Sequence, residues 1–129
     1  MSAASVEQLL ADARRHIDRV RPEELGPWRV AGALLIDIRP ERQRAEEGEF
    51  DHAIVVERNV LEWRFDLKGD HALADIDGYG QPVVVACSEG YASSLAAASL
   101  RDLGFTRVAD LDGGYMAWRD WQEKARTHT

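Results

Sequence analysis

Cysteine is nearly missing from this chain of 129 residues: there is one, Cys87. One cysteine excludes an intramolecular disulfide framework and removes the usual reason for a small secreted domain to carry the residue. There is no H-E-x-x-H or C-x-x-C spacing, and His16, His52, His71 and His128 stand far apart, so no metal site is expected. No apolar run approaches the length of a membrane span. Residues Met1 to Glu7 show neither the basic segment nor the apolar core of a signal peptide. No membrane association is expected, and the expected location is the cytoplasm. Positive charge is also short: 16 Lys and Arg against 23 Asp and Glu leave a net charge of −7. The arginines (Arg14 and Arg15, Arg19 and Arg21, Arg39 to Arg44) are interleaved with acids and form no stripe to replace phosphate counterions. A nucleic-acid partner is therefore not expected.

What remains is ordinary for a folded protein, with 45% hydrophobic and 30% charged residues. The length suits one domain with a real core. Ser5 to Val20 reads as an amphipathic helix with Val6, Leu9, Leu10, Ala13, Ile17 and Val20 on one face and Ser5 as N-cap. Pro22 to Leu25 starts a short second helix, which Gly26-Pro27 is expected to break. The division expected is a helical extension over 1–20, a domain over 21–124 and a tail over 125–129.

Within the domain, Ala33–Ile38, Ala53–Val56, Pro82–Ala86 and Arg107–Leu111 read as strands. Helical segments alternate with them: Glu41–Glu47, Val60–Phe65, Ser94–Leu100 and Tyr115–Lys124. The strands are apolar throughout rather than alternating, as in a parallel sheet covered on both faces. The expected fold class is thus α/β, in three layers, with a central, mainly parallel sheet flanked by helices. Sites in such sheets lie outside the carboxyl ends of the strands, and Cys87 falls at one of them.

The segment after Cys87 is short and small: Ser88, Glu89, Gly90, Tyr91, Ala92, Ser93. Its amides can curl into a cup, with Gly90 suited to a positive φ. Ser88, Ser93 and Ser94 can add hydroxyl donors or cap the helix. Loop amides and the positive end of a helix dipole both favour a thiolate or another anion. Glu89 acts in the opposite sense. A buried cysteine with no chemical role is the plainer alternative.

The loop Cys87-Ser88-Glu89-Gly90-Tyr91-Ala92-Ser93 resembles the active-site loop of single-domain rhodanese-like sulfurtransferases. Leu35-Ile36-Asp37-Ile38-Arg39 is similar to that family's upstream D-x-R signature, and Leu111-Asp112-Gly113-Gly114-Tyr115-Met116-Ala117-Trp118 to its downstream L-x-G-G-x-x-A-W signature. Order and spacing agree, over roughly residues 21–122. The resemblance implies a rhodanese-like domain and a ping-pong sulfur transfer in which Cys87 carries a persulfide stabilised by the loop amides. It implies no organic cofactor. With no second cysteine, the persulfide must discharge to an external acceptor: cyanide, a small thiol or a protein. The donor would be a small sulfane-sulfur compound. Oligomeric state is not legible.

Departures from the family pattern bear on the donor. Many thiosulfate-using members have a basic residue in the loop; here Ser88 and Glu89 stand there, and Ala92 replaces a common hydroxyl residue. Gly48-Glu49-Phe50-Asp51-His52-Ala53 stands for the family's G-H-I-P-G-A segment. Arg44 stands where an aromatic is common.

Asp37, Arg39 and Arg58 are the supporting candidates. Asp37 and Arg39 read either as an ion pair tying loops together or as a positioning device. Arg58 is the candidate to supply the charge the loop lacks. Trp63, Phe65 and Tyr91 are weighed between core and pocket rim, Trp118 reads as core, and the run Glu46-Glu47-Gly48-Glu49 reads as a solvated loop. Three functions stay open: a sulfurtransferase, a non-catalytic or redox-sensing module, and a cysteine phosphatase or arsenate reductase. The last typically needs Cys-x5-Arg, and the sixth residue after Cys87 is Ser93.

Overall fold

Three consecutive valines, Val83, Val84 and Val85, are fully buried and form the middle of the protein. Successive side chains in a strand point to opposite faces. Val83 and Val85 therefore enter one apolar cluster with Ile36, Leu61, Phe65 and Leu100. Val84 and Ala86 enter another with Leu35, Leu111, Tyr115 and Trp118. A strand buried on both faces must be apolar at every position, which is why the run does not alternate.

The computed structural model describes residues 3–127, so Met1, Ser2, His128 and Thr129 lie outside the described residues. The order of elements is α1 (Val6–Arg14), β1 (Asp18–Val20), α2 (Pro22–Val30), β2 (Leu34–Asp37), α3 (Glu41–Glu47) and β3 (Ile54–Val55), followed by a 3₁₀ turn (Arg58–Val60), α4 (Leu61–Phe65), β4 (Val83–Ala86), α5 (Ala92–Leu103), β5 (Val108–Leu111) and α6 (Gly114–Thr127). The five strands form one sheet, ordered β1-β5-β4-β2-β3, and every pairing is parallel. α4 and α5 cover one face, α2 and α6 the other, and α1 packs outside α5.

Three expectations are corrected. The first helix ends at Arg14 rather than Val20, because Asp18–Val20 pairs with Ala109–Leu111 as an edge strand. Part of the segment read as a helical extension is thus integral to the sheet. Its Ser5 cap stands: the hydroxyl accepts from the Gln8 amide while Gln8 returns a bond to the Ser5 amide. Gly26-Pro27 does not break α2, which runs to Val30 with Pro27 inside it. Proline there forfeits one backbone bond, and burial of Leu25 with packing of Trp28 on the same cluster holds the helix. Residues 125–127 continue α6 instead of forming a tail.

Candidate active site

Strand β4, the middle of the sheet, delivers Cys87 at its carboxyl end. The residue is only 8% exposed. Its Sγ accepts hydrogen bonds from the amides of Gly90 at 3.2 Å and Ser93 at 3.4 Å. The loop therefore does curl around the sulfur, with α5 beginning at Ala92 directly behind it. Gly90 has φ 88°, and a Cβ there would lie 2.7 Å from the Gly113 nitrogen, so the turn requires glycine.

The start of α6 fastens the loop from the other side. The amides of Tyr115 and Met116 donate to the carbonyls of Cys87 (2.8 Å) and Ser88 (3.1 Å). This approach needs Gly114: its φ is 65°, and a Cβ would sit 2.5 Å from the Cys87 carbonyl oxygen. Gly114 thus lets the start of α6 close against the loop.

A cleft of about 420 Å³ opens beside the sulfur. Gln43 and Glu47 line one wall, and Ser88, Glu89, Tyr91 and Ala92 surround the rest. Glu89 and Ala92 are exposed, and Tyr91 is 59% exposed at the entrance. Among the described residues, two carboxylates and no cationic side chain line the opening.

Two polar networks brace this loop. The first starts at Arg39, which is 1% exposed. Its guanidinium donates to Asp37 Oδ2 at 2.8 Å, to Glu47 Oε1 at 3.1 Å and to the Gly48 carbonyl at 2.9 Å. It also lies 4.1 Å from the centroid of the Tyr115 ring. Glu47 in turn accepts from the Ser88 hydroxyl at 2.7 Å. Burial pushes the Arg39 pKa down, but the bond and charge of Asp37, then of Glu47, outweigh it and hold the group above its ordinary value. Asp37 and Arg39 thus form a buried pair that reaches the loop through Glu47. Glu47 is not the solvated loop residue expected from the acidic run.

The second network surrounds Asp110, which is fully buried in β5. It accepts from the hydroxyls of Ser93 and Ser94, each at 2.8 Å, and from Arg19 Nε at 2.9 Å. The serine hydroxyls are therefore spent on Asp110, and no side-chain bond caps α5, contrary to the expectation that they would face the cup or cap the helix. Burial lowers the Arg19 pKa, but Asp110, Asp112 and the charge of Cys87 overcome it, and the net shift is upward. Arg19 and Arg14 both donate to the Gly90 carbonyl, at 2.9 Å each.

Arg58 is not brought to the cleft. It pairs with Glu62 at 2.9 Å and reaches Ser99, about two helical turns along α5 from Ala92. Phe65 is fully buried and Trp63 is exposed, so neither sits beside Tyr91 as a rim. Phe50, where the family pattern has isoleucine, packs on Tyr115 and Trp118 at 4.8 and 5.0 Å. His52 turns this segment with φ 60°. Arg14, Arg19, Glu47 and Asp110 were not singled out from sequence. One signal existed: a carboxylate inside an apolar strand, as in Val108-Ala109-Asp110-Leu111, demands a cation.

Comparison with known proteins places this geometry. The family model described as Rhodanese-like domain matches residues 5–120. A thiosulfate sulfurtransferase GlpE from Stutzerimonas stutzeri is 35% identical over 101 residues, covering 78% of this chain and 84% of that protein. Its namesake from Pseudomonas fluorescens is 36% identical over 102 residues, with the same coverages of 78% and 84%. Among solved structures, a protein of unknown function from Rhodopseudomonas palustris, described as a possible tyrosine phosphatase, superposes with a TM-score of 0.84 at 25% identity, covering 95% of this chain and 94% of its own. A rhodanese homologue from Thermus thermophilus gives 0.56 at 30% identity, covering 77% and 98%.

Proposed function

Because the chain belongs to the rhodanese-like domain family, we propose that it is a sulfurtransferase whose nucleophile is Cys87. The observation that carries the assignment is the pair of amide bonds from Gly90 and Ser93 to Sγ beneath the start of α5. Backbone amides and a helix N-terminus favour negative charge on that sulfur.

The reaction runs in two halves. The Cys87 thiolate attacks the outer sulfur of a sulfane donor, and the donor's S–S bond breaks. With thiosulfate the electron pair leaves as sulfite; with a small-thiol persulfide it leaves on the thiolate, which takes the proton. Cys87 then carries Sγ–S⁻. A thiophilic acceptor such as cyanide attacks the outer sulfur, the new S–S bond breaks, and the pair returns to Sγ with release of thiocyanate. A small thiol or a protein thiol takes the sulfur in the same way.

The cleft bears on the donor. Glu89 presents negative charge where a dianion would enter, the Glu47 carboxylate is bound by Arg39 and Ser88, and Arg58 lies elsewhere. A thiol-bound persulfide, with less charge at the reacting end, therefore suits this opening better than thiosulfate. The site gives a phosphatase no support: Ser93 stands sixth after Cys87, and the guanidinium groups of Arg14 and Arg19 are bound to the Gly90 carbonyl. Steady-state assay of thiocyanate release, with donor and cyanide varied together, tests the scheme. Parallel double-reciprocal lines are expected; intersecting lines contradict a free persulfide enzyme.

A further inference from the structure

The Gly90 carbonyl accepts from two guanidinium groups that reach it from different elements, Arg14 at the end of α1 and Arg19 in β1. Each bond is 2.9 Å. The two arginines are joined behind it. Arg14 Nε donates to the Ser94 hydroxyl at 3.0 Å, that hydroxyl donates to Asp110 Oδ2 at 2.8 Å, and Arg19 pairs with the same carboxylate. The result is a closed ring around a single peptide oxygen.

The peptide in question joins Gly90 to Tyr91. It is trans and planar, so its carbonyl and its N–H point in opposite directions. Glycine on one side makes rotation of this unit about its flanking bonds inexpensive. Held as it is, the unit points its carbonyl at the two arginines and the Tyr91 N–H away from them; turned over, it would put a carbonyl oxygen, which repels an anionic sulfur, where the N–H now is. Among the described residues, the amides of Tyr91 and Ala92 have no acceptor, whereas those of Gly90 and Ser93 already hold Sγ.

We propose that Arg14 and Arg19 are positioning residues that hold the Gly90 carbonyl outward and so reserve the Tyr91 N–H for the outer sulfur of the persulfide. This rests on the sulfur-transfer reading above and gives α1 a definite task. Neither guanidinium touches the reacting atoms. They act by fixing which end of one peptide faces the charge that appears when Sγ–S⁻ forms.

The test is the partition of sulfur between Cys87 and a small thiol. Wild type, Arg14→Ala, Arg14→Lys and Arg15→Ala are each equilibrated with glutathione persulfide and glutathione at fixed ratio, and the persulfide fraction is read by intact mass. Arg15 is exposed and, among the described residues, its side chain pairs with Asp12 alone, so its variant controls for weakening of α1. Arg14→Ala lowers the persulfide-to-thiol ratio about ten-fold, as expected for losing one charge-assisted hydrogen bond. Arg14→Lys, which retains one cationic donor, recovers part of the ratio, and Arg15→Ala leaves it unchanged. A ratio in Arg14→Ala equal to wild type overturns the positioning role. So does an equal loss in Arg15→Ala, which assigns the effect to docking of the helix. A wild type that takes up no sulfur at all overturns the sulfur-transfer reading instead, and the positioning role with it.

Discussion

The Ser88 hydroxyl donates to one oxygen of Glu47 at 2.7 Å while Arg39 donates to the other at 3.1 Å. A surface loop that carries the cysteine is thereby anchored to a buried ion pair through one carboxylate. The arrangement ties a D-x-R pair on the neighbouring strand to the loop that follows Cys87.

Arg39→Ala removes the cation and leaves Asp37 buried with its charge unmatched. The expected cost is roughly 3–5 kcal/mol, measured by urea unfolding. Arg39→Lys makes the same anchor titratable. The folded-state pKa of Arg39 is raised above the ordinary guanidinium value, so the stability it contributes is present below that ordinary value and is lost only as pH rises through the raised one. A lysine gaining Asp37 as partner titrates from about 10.4, so its contribution is lost as pH rises past that point. The stability gap between wild type and Arg39→Lys is expected to be flat below about pH 10 and to widen above it. A gap independent of pH up to the alkaline limit of folding contradicts this role for the pair.

Glu89→Lys replaces a carboxylate at the cleft with a cation. For a dianionic donor the expected gain in kcat/KM is about ten-fold at low ionic strength, falling as salt is added. A neutral donor is expected to gain little. Equal changes for thiosulfate and a neutral sulfane donor would remove electrostatics as the limit on donor use.

Gly114→Ala drives a Cβ to 2.5 Å from the Cys87 carbonyl oxygen in a backbone with φ 65°. A loss of about 1–3 kcal/mol in stability is expected, together with a fall in turnover of up to about a hundred-fold from displacement of the loop. Gly26→Ala is the control: nothing lies within 4 Å of its Cβ position, and alanine is expected to be neutral or stabilising in α2.

Much of this was legible in the chain because the signals were local. An unbroken apolar run marks a two-sided strand, and small residues after Cys87 mark a loop whose backbone faces the sulfur. What stayed hidden was long-range. Asp18–Val20 is three residues long and becomes a strand only beside β5. Glu47 reads as solvated until Arg39 and Ser88 are seen to reach it. Ser93 and Ser94 read as donors to the sulfur or caps of the helix until Asp110 is seen to accept their hydrogen bonds. The charge assigned to Arg58 belongs to a helix surface pair with Glu62. Arg58 aside, whose partner is four residues on, the deciding partner lies far along the chain, and composition carries no trace of that choice.

The most direct test of the account is the intact mass of the purified protein after incubation with a sulfane donor, then with cyanide, beside Cys87→Ser. Wild type is expected to gain one sulfur atom and lose it to cyanide as thiocyanate, while Cys87→Ser folds and gains none. A wild type that gains no sulfur from either thiosulfate or a small-thiol persulfide, or a serine variant that still turns over, contradicts Cys87 as the carrier.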